Sequence, residues 1–472
     1  MLQPPSQVAQ ARPGVFLDEQ RSRSIRVLVV GSFPPRECGI ATFTKDVVDH
    51  LAARDDVRCE VIAIDEAGGE ARTYGVPVVA RIKRDDRSSY ASAAGFINQH
   101  PASIVLVQHE YGLFAGEDGA AFLDLLAAVR KPVVVTFHTV LPAPNANHRA
   151  VTQAICARAE AVVVLSHMGK TILQQAYGVS EKTIYMIPHG VPDVPFTSTE
   201  PAKRKLGFAG RNIVSTFGLL SRGKGLEDAI EAMQTIASDH PEALYLILGQ
   251  THPIVRQQEG ESYREALAAQ VIKLGLRGNV AFVGRYLSFD DLIFYLSATD
   301  IYLTPYLNAD QIVSGTLAYA LGCGKAIVST PYLYAREVLA RGRGSLCDFH
   351  DPTSIAANVT ALLDHPHRRH AMERRAYKFG HEMRWSNVAA SYAQIFSDAT
   401  GCSAPDSLPR HVVHHDVLRM ARSSGSNVRK SGETYPADSG TRIPLTNGVT
   451  RVLDPVTQGG PSRVCDRFGD QL

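Results

Sequence analysis

Three stretches of the chain carry residue types that can hold an anion. In residues 308–331 (NADQIVSGTLAYALGCGKAIVSTP), Ser314, Gly315 and Thr316 open a small-residue helix that breaks at Gly322-Cys323-Gly324 and yields to a strand over 325–329. Such a helix start offers unpaired backbone N–H groups and the positive end of the helix dipole, so a diphosphate-sized anion can dock there. In residues 217–225 (FGLLSRGKG), Arg222 and Lys224 lie on a glycine-rich turn between a strand and a helix. Two cations there form a plausible clamp where negative charge develops on a departing diphosphate, although in isolation they read rather as solvated surface charges. Residues 31–42 (GSFPPRECGIAT) turn from a strand into a helix whose start holds Gly39, Ala41 and Thr42. This is neither the dinucleotide G-x-G-x-x-G pattern nor a Walker loop, which leaves a site for a phosphate or sugar hydroxyl, or a plain tight turn.

A fourth stretch suits a neutral polar ligand. In residues 108–116 (QHEYGLFAG), His109 and Glu110 stand beside aromatic residues after a strand. Polar groups next to a ring match the hydroxyls and the apolar face of a carbohydrate, and this places both residues on an acceptor side. The competing reading is that they satisfy backbone groups in a buried loop. His189, in Pro188-His-Gly190, reads as part of an interdomain hinge. The basic run over residues 365–375 (HPHRRHAMERR) fits anionic lipid headgroups or a solvated helix face.

The elements that must position these residues follow from periodicity. Residues 25–31 (IRVLVVG) form a nearly continuous β-branched run, as expected of a strand buried on both faces of a parallel sheet. Similar runs at 59–64, 103–107, 132–137 and 161–165 alternate with helical patterns such as 43–53 and 120–129. Around 188–201 the sequence is rich in proline and has no period, which marks a linker. The alternation then restarts with strands at 212–217, 243–248, 280–283, 300–304 and 325–329, and with helices such as 226–237 and 290–296. Residues 385–396 (WSNVAASYAQIF) keep helical spacing, and this last helix is expected to pack back on the first domain.

The predicted organisation is therefore a disordered segment (1–24), an acceptor-side α/β domain (25–195), a donor-side α/β domain (196–384), a crossover helix (385–400) and a mostly disordered tail (401–472). Each α/β domain is a doubly wound parallel sheet. Ligands of such sheets bind beyond the carboxyl ends of the strands, in the cleft between the domains.

Composition narrows the classes. A chain of 472 residues exceeds a single core, and its 49 basic residues nearly balance 47 acidic ones, so no nucleic-acid partner is expected. Its seven cysteines contain no C-x-x-C pair, which speaks against a disulfide framework or a zinc site and suits a reducing cytoplasm. The sequence has no secretory h-region, and no apolar run approaches the roughly 20 residues of a membrane span.

Taken together and in order, PPRECGIATFT, VTFHTV, IPHGV, SRGKG, FVGRYL and ALGCGKAIVSTP resemble the retaining nucleotide-sugar glycosyltransferases of family 4, over roughly residues 25–397. The resemblance implies the GT-B fold: two facing Rossmann-like domains with a C-terminal crossover helix. It implies that Gly39 lies near the donor phosphates and that His138 stands beside the reacting sugar. It further implies that Lys224 neutralises the diphosphate, that Ser314, Gly315 and Thr316 cap it, and that Glu337 belongs to the donor site.

The departures lie at the family's paired glutamates, which here are Gln311 and Tyr319, with Asp310 as a substitute. A second departure is Leu219, where an arginine usually follows the glycine, leaving Arg222 to reach the phosphates from another place. Gln311 can still bond a sugar hydroxyl through its amide, whereas Tyr319 lacks the carboxylate that binds a ribose diol.

The expected reaction moves a hexose, mannose or glucose, from a GDP- or UDP-sugar to a carbohydrate or glycolipid acceptor. No cofactor or metal is expected, and the chain has no Asp-x-Asp triplet. Peripheral membrane contact through the basic run accompanies the lipid-linked acceptor. Two other classes remain: a GT-B phosphorylase or epimerase, and a nucleotide-sugar-binding protein without catalysis, the latter suggested by Gln311, Tyr319 and Leu219.

Overall fold

The computed structural model describes residues 24–66 and 72–401. The disorder expected over 1–24 and the tail expected beyond 401 lie, but for their inner one-residue edges, outside the described residues. The β-branched runs become strands with no solvent face, and each lobe is a parallel sheet wrapped by helices. In chain order the first lobe comprises β1 (Ile25–Gly31), α1 (Gly39–Ala52), β2 (Val57–Asp65), β3 (Val78–Lys83), α2 (Arg87–Gln99), β4 (Ile104–His109), α3 (Ala121–Ala128), β5 (Val133–Phe137), α4 (Ala146–Arg158), β6 (Ala161–Val164), α5 (His167–Tyr177) and β7 (Ile184–Met186). Its seven strands are ordered β3-β2-β1-β4-β5-β6-β7, all parallel.

The second lobe follows with α6 (Glu200–Leu206), β8 (Asn212–Phe217), α7 (Leu226–Asp239), β9 (Ala243–Leu248), α8 (Pro253–Glu259), α9 (Ser262–Lys273), β10 (Val280–Val283), α10 (Phe289–Ala298), β11 (Ile301–Thr304), α11 (Gly315–Gly322), β12 (Ala326–Ser329), α12 (Leu333–Val338), β13 (Ser345–Leu346), α13 (Pro352–Asp364) and α14 (Pro366–Glu382). Its six parallel strands are ordered β10-β9-β8-β11-β12-β13. The sequence pattern missed β3, β7 and β13, and all three are edge strands. An edge strand is covered less completely, so its apolar run is short or alternating, as in the half-exposed β3.

Both sheets change direction at their centres, between β1 and β4 and between β8 and β11, which are the switch points where open α/β sheets bind ligands. The loops there hold residues 32–38, 110–120, 218–225 and 305–314, which include Glu110, Arg222, Lys224, Asp310, Gln311 and Ser314.

Residues 188–199 form no helix or strand, apart from a single bridge of Val191 to Arg384. The last helix, α15 (Trp385–Thr400), then returns to the first lobe. Trp385, Val388, Tyr392 and Phe396 join the core beneath β1 and α1, and Tyr392 Oη meets Thr136 Oγ1 at 2.9 Å. Gly190 is required at this crossing because a Cβ there would stand 2.1 Å from the Trp385 ring.

Candidate active site

The second lobe builds a cationic, donor-rich corner from three loops. After β11 the chain places Tyr306, 1 % exposed, against Tyr332 with centroids 5.8 Å apart and planes at 16°. The Tyr306 hydroxyl meets Thr316 Oγ1 at 2.8 Å, and Thr316 meets Ser314 Oγ at 3.1 Å. Ser314 is the N-cap of α11, accepting the Leu317 N–H at 3.3 Å, which leaves the first amides of the helix directed outward. The turn after β8 is stitched to the same loop: the Leu307 N–H donates to Gly223 at 3.0 Å, and a Cβ on Gly225 would strike the Pro305 carbonyl at 2.0 Å. This seats the Lys224 ammonium over the Tyr306 ring, 3.8 Å from its centroid. Among the described residues no carboxylate pairs with Lys224.

The first lobe brings aromatic and imidazole groups to the same corner. His138 Nε2 meets Gln108 Oε1 at 2.9 Å, and its ring stands edge-on to Phe43 with centroids at 4.7 Å. Phe43 in turn contacts His189 at 5.0 Å. His189 lies directly over the start of α11, where a Cβ on Gly315 would come within 2.7 Å of its Nε2. Burial holds His138 neutral, with a pKa lowered to about 3, and neighbouring His189 and His109 push it the same way. His189 falls to about 4 through burial, partly opposed by its 2.8 Å bond to the Gly190 carbonyl. Gly39 opens α1 with open space around its Cα, and Cys38 caps that helix through its sulfur, accepting from the Ala41 N–H at 3.4 Å.

Lys224, Ser314, Gly315 and Thr316 thus converge, with His189 and His138 approaching from the other side. Other expected site residues lie elsewhere. Arg222 is exposed and ion-paired to Glu259 at 2.9 Å, with its guanidinium 5.1 Å from the Tyr263 ring, because the short turn that aims Lys224 inward aims its neighbour outward. Glu337 accepts the His167 and Met168 N–H groups at 2.9 Å each, so it caps α5 of the opposite lobe in place of facing a donor sugar. Asp310 is exposed on the loop, and Gln311 donates to the Val313 carbonyl at 2.8 Å.

His109 is fully buried, ringed by Tyr111, Phe114, Phe122 and Phe137, with neither ring nitrogen hydrogen-bonded and its pKa lowered to about 3 by burial. It is a core residue and offers nothing to an acceptor. The side chain follows the inward face of β4. Glu110, the next residue, is half-buried and accepts from Thr139 Oγ1 at 2.6 Å and the Tyr111 N–H at 3.1 Å. Burial raises its pKa against both bonds.

The structure also supplies residues that the sequence reading did not name. Tyr319, where a carboxylate was expected, donates its hydroxyl to Asp46 Oδ2 at 2.6 Å, so a carboxylate does stand there, supplied by α1 across the cleft. Burial raises the pKa of Asp46. Two further bonds join the lobes, Gln250 to Glu37 at 2.6 Å and Thr42 to Tyr286 at 3.2 Å. Tyr306 had one readable signal, an aromatic residue immediately beyond a strand at the switch point. Asp46 had none. Among the described residues no cluster of His, Cys, Asp or Glu has a metal-holding arrangement, and no helix is long and apolar enough to cross a membrane.

The chain belongs to the glycosyltransferases: the Glycosyltransferase Family 4 profile matches residues 38–193 and the Glycosyl transferases group 1 profile matches residues 198–379. It is 27 % identical over 251 residues to an uncharacterized glycosyltransferase of Methanocaldococcus jannaschii, covering 52 % of this chain and 61 % of that one. It is 29 % identical over 197 residues to the mannosylfructose-phosphate synthase of Agrobacterium fabrum, covering 40 % and 41 %. A lipopolysaccharide core mannosyltransferase of Rhizobium leguminosarum is 23 % identical over 57 % of this chain and 73 % of its own length. The matches to the first two relatives thus span less than two thirds of their length. Among solved structures, a sucrose-phosphate synthase of Thermosynechococcus elongatus superposes with a TM-score of 0.66 at 16 % identity, covering 80 % of this chain and all of that one. Anabaena HepE, solved with UDP, does so with a TM-score of 0.63 at 16 % identity, covering 79 % of this chain and all of its own. The fold is GT-B.

Proposed function

We propose that this chain is a retaining glycosyltransferase that moves a hexosyl group, mannose or glucose, from a GDP- or UDP-sugar to a hydroxyl of a carbohydrate or glycolipid. The observation that carries this reading is the unpaired Lys224 ammonium, fixed over Tyr306, whose hydroxyl is bonded to Thr316 at the opening of α11. Fixed positive potential at that corner matches the charge that builds on a diphosphate as its bond to the anomeric carbon breaks. The bonding electrons go to the diphosphate oxygen, the acceptor oxygen bonds to the same face of the sugar, and its proton passes to the departing phosphate. Because Lys224 and the helix amides take the leaving charge, this route asks for no metal ion. Neutral His138 serves as a hydrogen-bonding group beside the sugar. The mannosyl- and glucosyl-type names among the relatives support the hexose, and the UDP-bound neighbour supports a nucleoside diphosphate. A glycolipid acceptor draws on the lipopolysaccharide relative and on a basic groove beside α14, through which the protein would meet an anionic membrane surface.

Calorimetric titration of the purified chain with UDP, GDP, UDP-glucose and GDP-mannose tests the donor site. One of them is expected to bind, with Lys224→Ala weakening it about 10- to 100-fold, the worth of one charge-assisted bond to phosphate. Absence of binding to all four ends the proposal. Turnover that demands inorganic phosphate would assign a phosphorylase in its place.

A further inference from the structure

A lysine that must clamp a diphosphate needs to be held in place without being neutralised. A carboxylate partner would fix it but would compete with the phosphate for its N–H groups. In this chain the partner is an aromatic face: the Lys224 ammonium sits 3.8 Å from the Tyr306 centroid. The ring quadrupole attracts the cation from one side and leaves its N–H donors free on the other. Tyr306 is itself packed in place, being 1 % exposed and stacked on Tyr332. Its hydroxyl, 2.8 Å from Thr316 Oγ1, reaches the other half of the same corner, and Thr316 lies 3.1 Å from the Ser314 cap.

We infer that Tyr306 is a positioning residue joining the two halves of the diphosphate cradle, its ring aiming Lys224 and its hydroxyl aiming Thr316. Where the phenol donates to Thr316, the threonine proton is left for Ser314 in the empty site and for a phosphate oxygen in the filled one. The inference rests on the donor-site reading above and adds that one buried side chain sets both groups. Tyr306 itself touches no reacting atom. Its contribution therefore depends on Lys224 and on the diphosphate, which a merely structural tyrosine would not show.

The test is calorimetric binding of whichever of UDP or GDP the wild type takes, with the matching nucleoside monophosphate as control, to Tyr306→Phe, Tyr306→Leu, Lys224→Ala and the double variants. Tyr306→Phe keeps the cation face and loses only the hydroxyl, so a loss of about threefold is expected for the diphosphate. Tyr306→Leu loses both and should weaken the diphosphate about tenfold beyond that. With Lys224→Ala in place the gap between the Phe and Leu variants should close, and monophosphate binding should move far less throughout. Equal losses in the Phe and Leu variants, or a gap that survives removal of Lys224, would overturn the inference while leaving the donor site standing. If the wild type binds no nucleoside diphosphate, the donor-site reading itself has failed. Should Tyr306→Leu not fold, phenylalanines of increasing fluorination at 306 keep the ring's volume while draining its face. Affinity must then fall with each fluorine, and a flat series refutes the role of the ring.

Discussion

Three histidines of one chemical type meet three fates here, and burial alone does not separate them. His138 keeps a partner in Gln108, His189 keeps one in the Gly190 carbonyl, and His109 has none. All three are held neutral by burial, with pKa values of about 3, 4 and 3 against an ordinary imidazole value of 6.5. The unfolded chain therefore binds up to three more protons than the native state as pH falls below 6.5, and stability is lost in that direction. Each such proton costs about 1.4 kcal/mol per pH unit between 6.5 and roughly 4. The half-buried carboxylates Asp46 and Glu110, whose pKa values are raised, oppose the trend at its acid end. Urea unfolding between pH 7.5 and 5 should show this slope, and His109→Phe should reduce it by about one proton's worth while leaving nucleotide binding unchanged. An unaltered slope in that variant would contradict the core placement of His109. The sequence showed His109 and His138 following strands and His189 in a hinge. Which face of the strand end pointed inward was not readable, because buried strands of parallel sheets lack the alternation that tells the faces apart.

At the scale of elements, helix ends do most of the joining. Residue Glu337 of α12 gives both carboxylate oxygens to the first two amides of α5, adding a negative charge at the positive end of a helix in the other lobe. Such a cap is worth about 1 kcal/mol, with a few tenths more from the dipole. Removing it with Glu337→Ala should loosen the contact between the lobes. The expected signs are faster amide exchange at His167 and Met168 and a larger radius of gyration in X-ray scattering of the ligand-free chain. Unchanged exchange at His167 would show that the packing of the lobes does not depend on this contact. The helix starts at Gly39 and Ser314 were legible from local residue types, since an N-cap and small first-turn residues declare themselves within a few positions. The cap on α5 was not legible, because its two donors and their acceptor lie 170 and 169 residues apart.

For the molecule as a whole, charge is local in its effect. The chain carries a formal net charge of only +2, yet Arg368 and Arg375 of α14 line a groove of about 520 Å³ with Gly342, Ala357, Leu362 and Met372, and no carboxylate lines it. Two arginines on one groove without a carboxylate suit an anionic phospholipid surface, at about 1 kcal/mol for each arginine near the headgroups. Co-sedimentation with vesicles containing anionic phospholipid should therefore succeed at low salt. It should fail with neutral vesicles and with the Arg368→Glu/Arg375→Glu variant. Equal recovery on neutral vesicles would remove the membrane reading and leave the soluble carbohydrate acceptor.

Local spacing by itself determined the two α/β lobes, the loops beyond their strand ends and the helix start at Ser314, since each is written within a window of one strand or one turn. Only the tertiary structure decided which of the marked side chains share a site. Lys224 turned inward and Arg222 outward on one short turn, His109 went to the core, and the carboxylate missing at Tyr319 arrived from Asp46, 273 residues away. Side-chain direction at a loop and partnership across a cleft depend on how two separately folded sheets face each other. No window of sequence contains that relation.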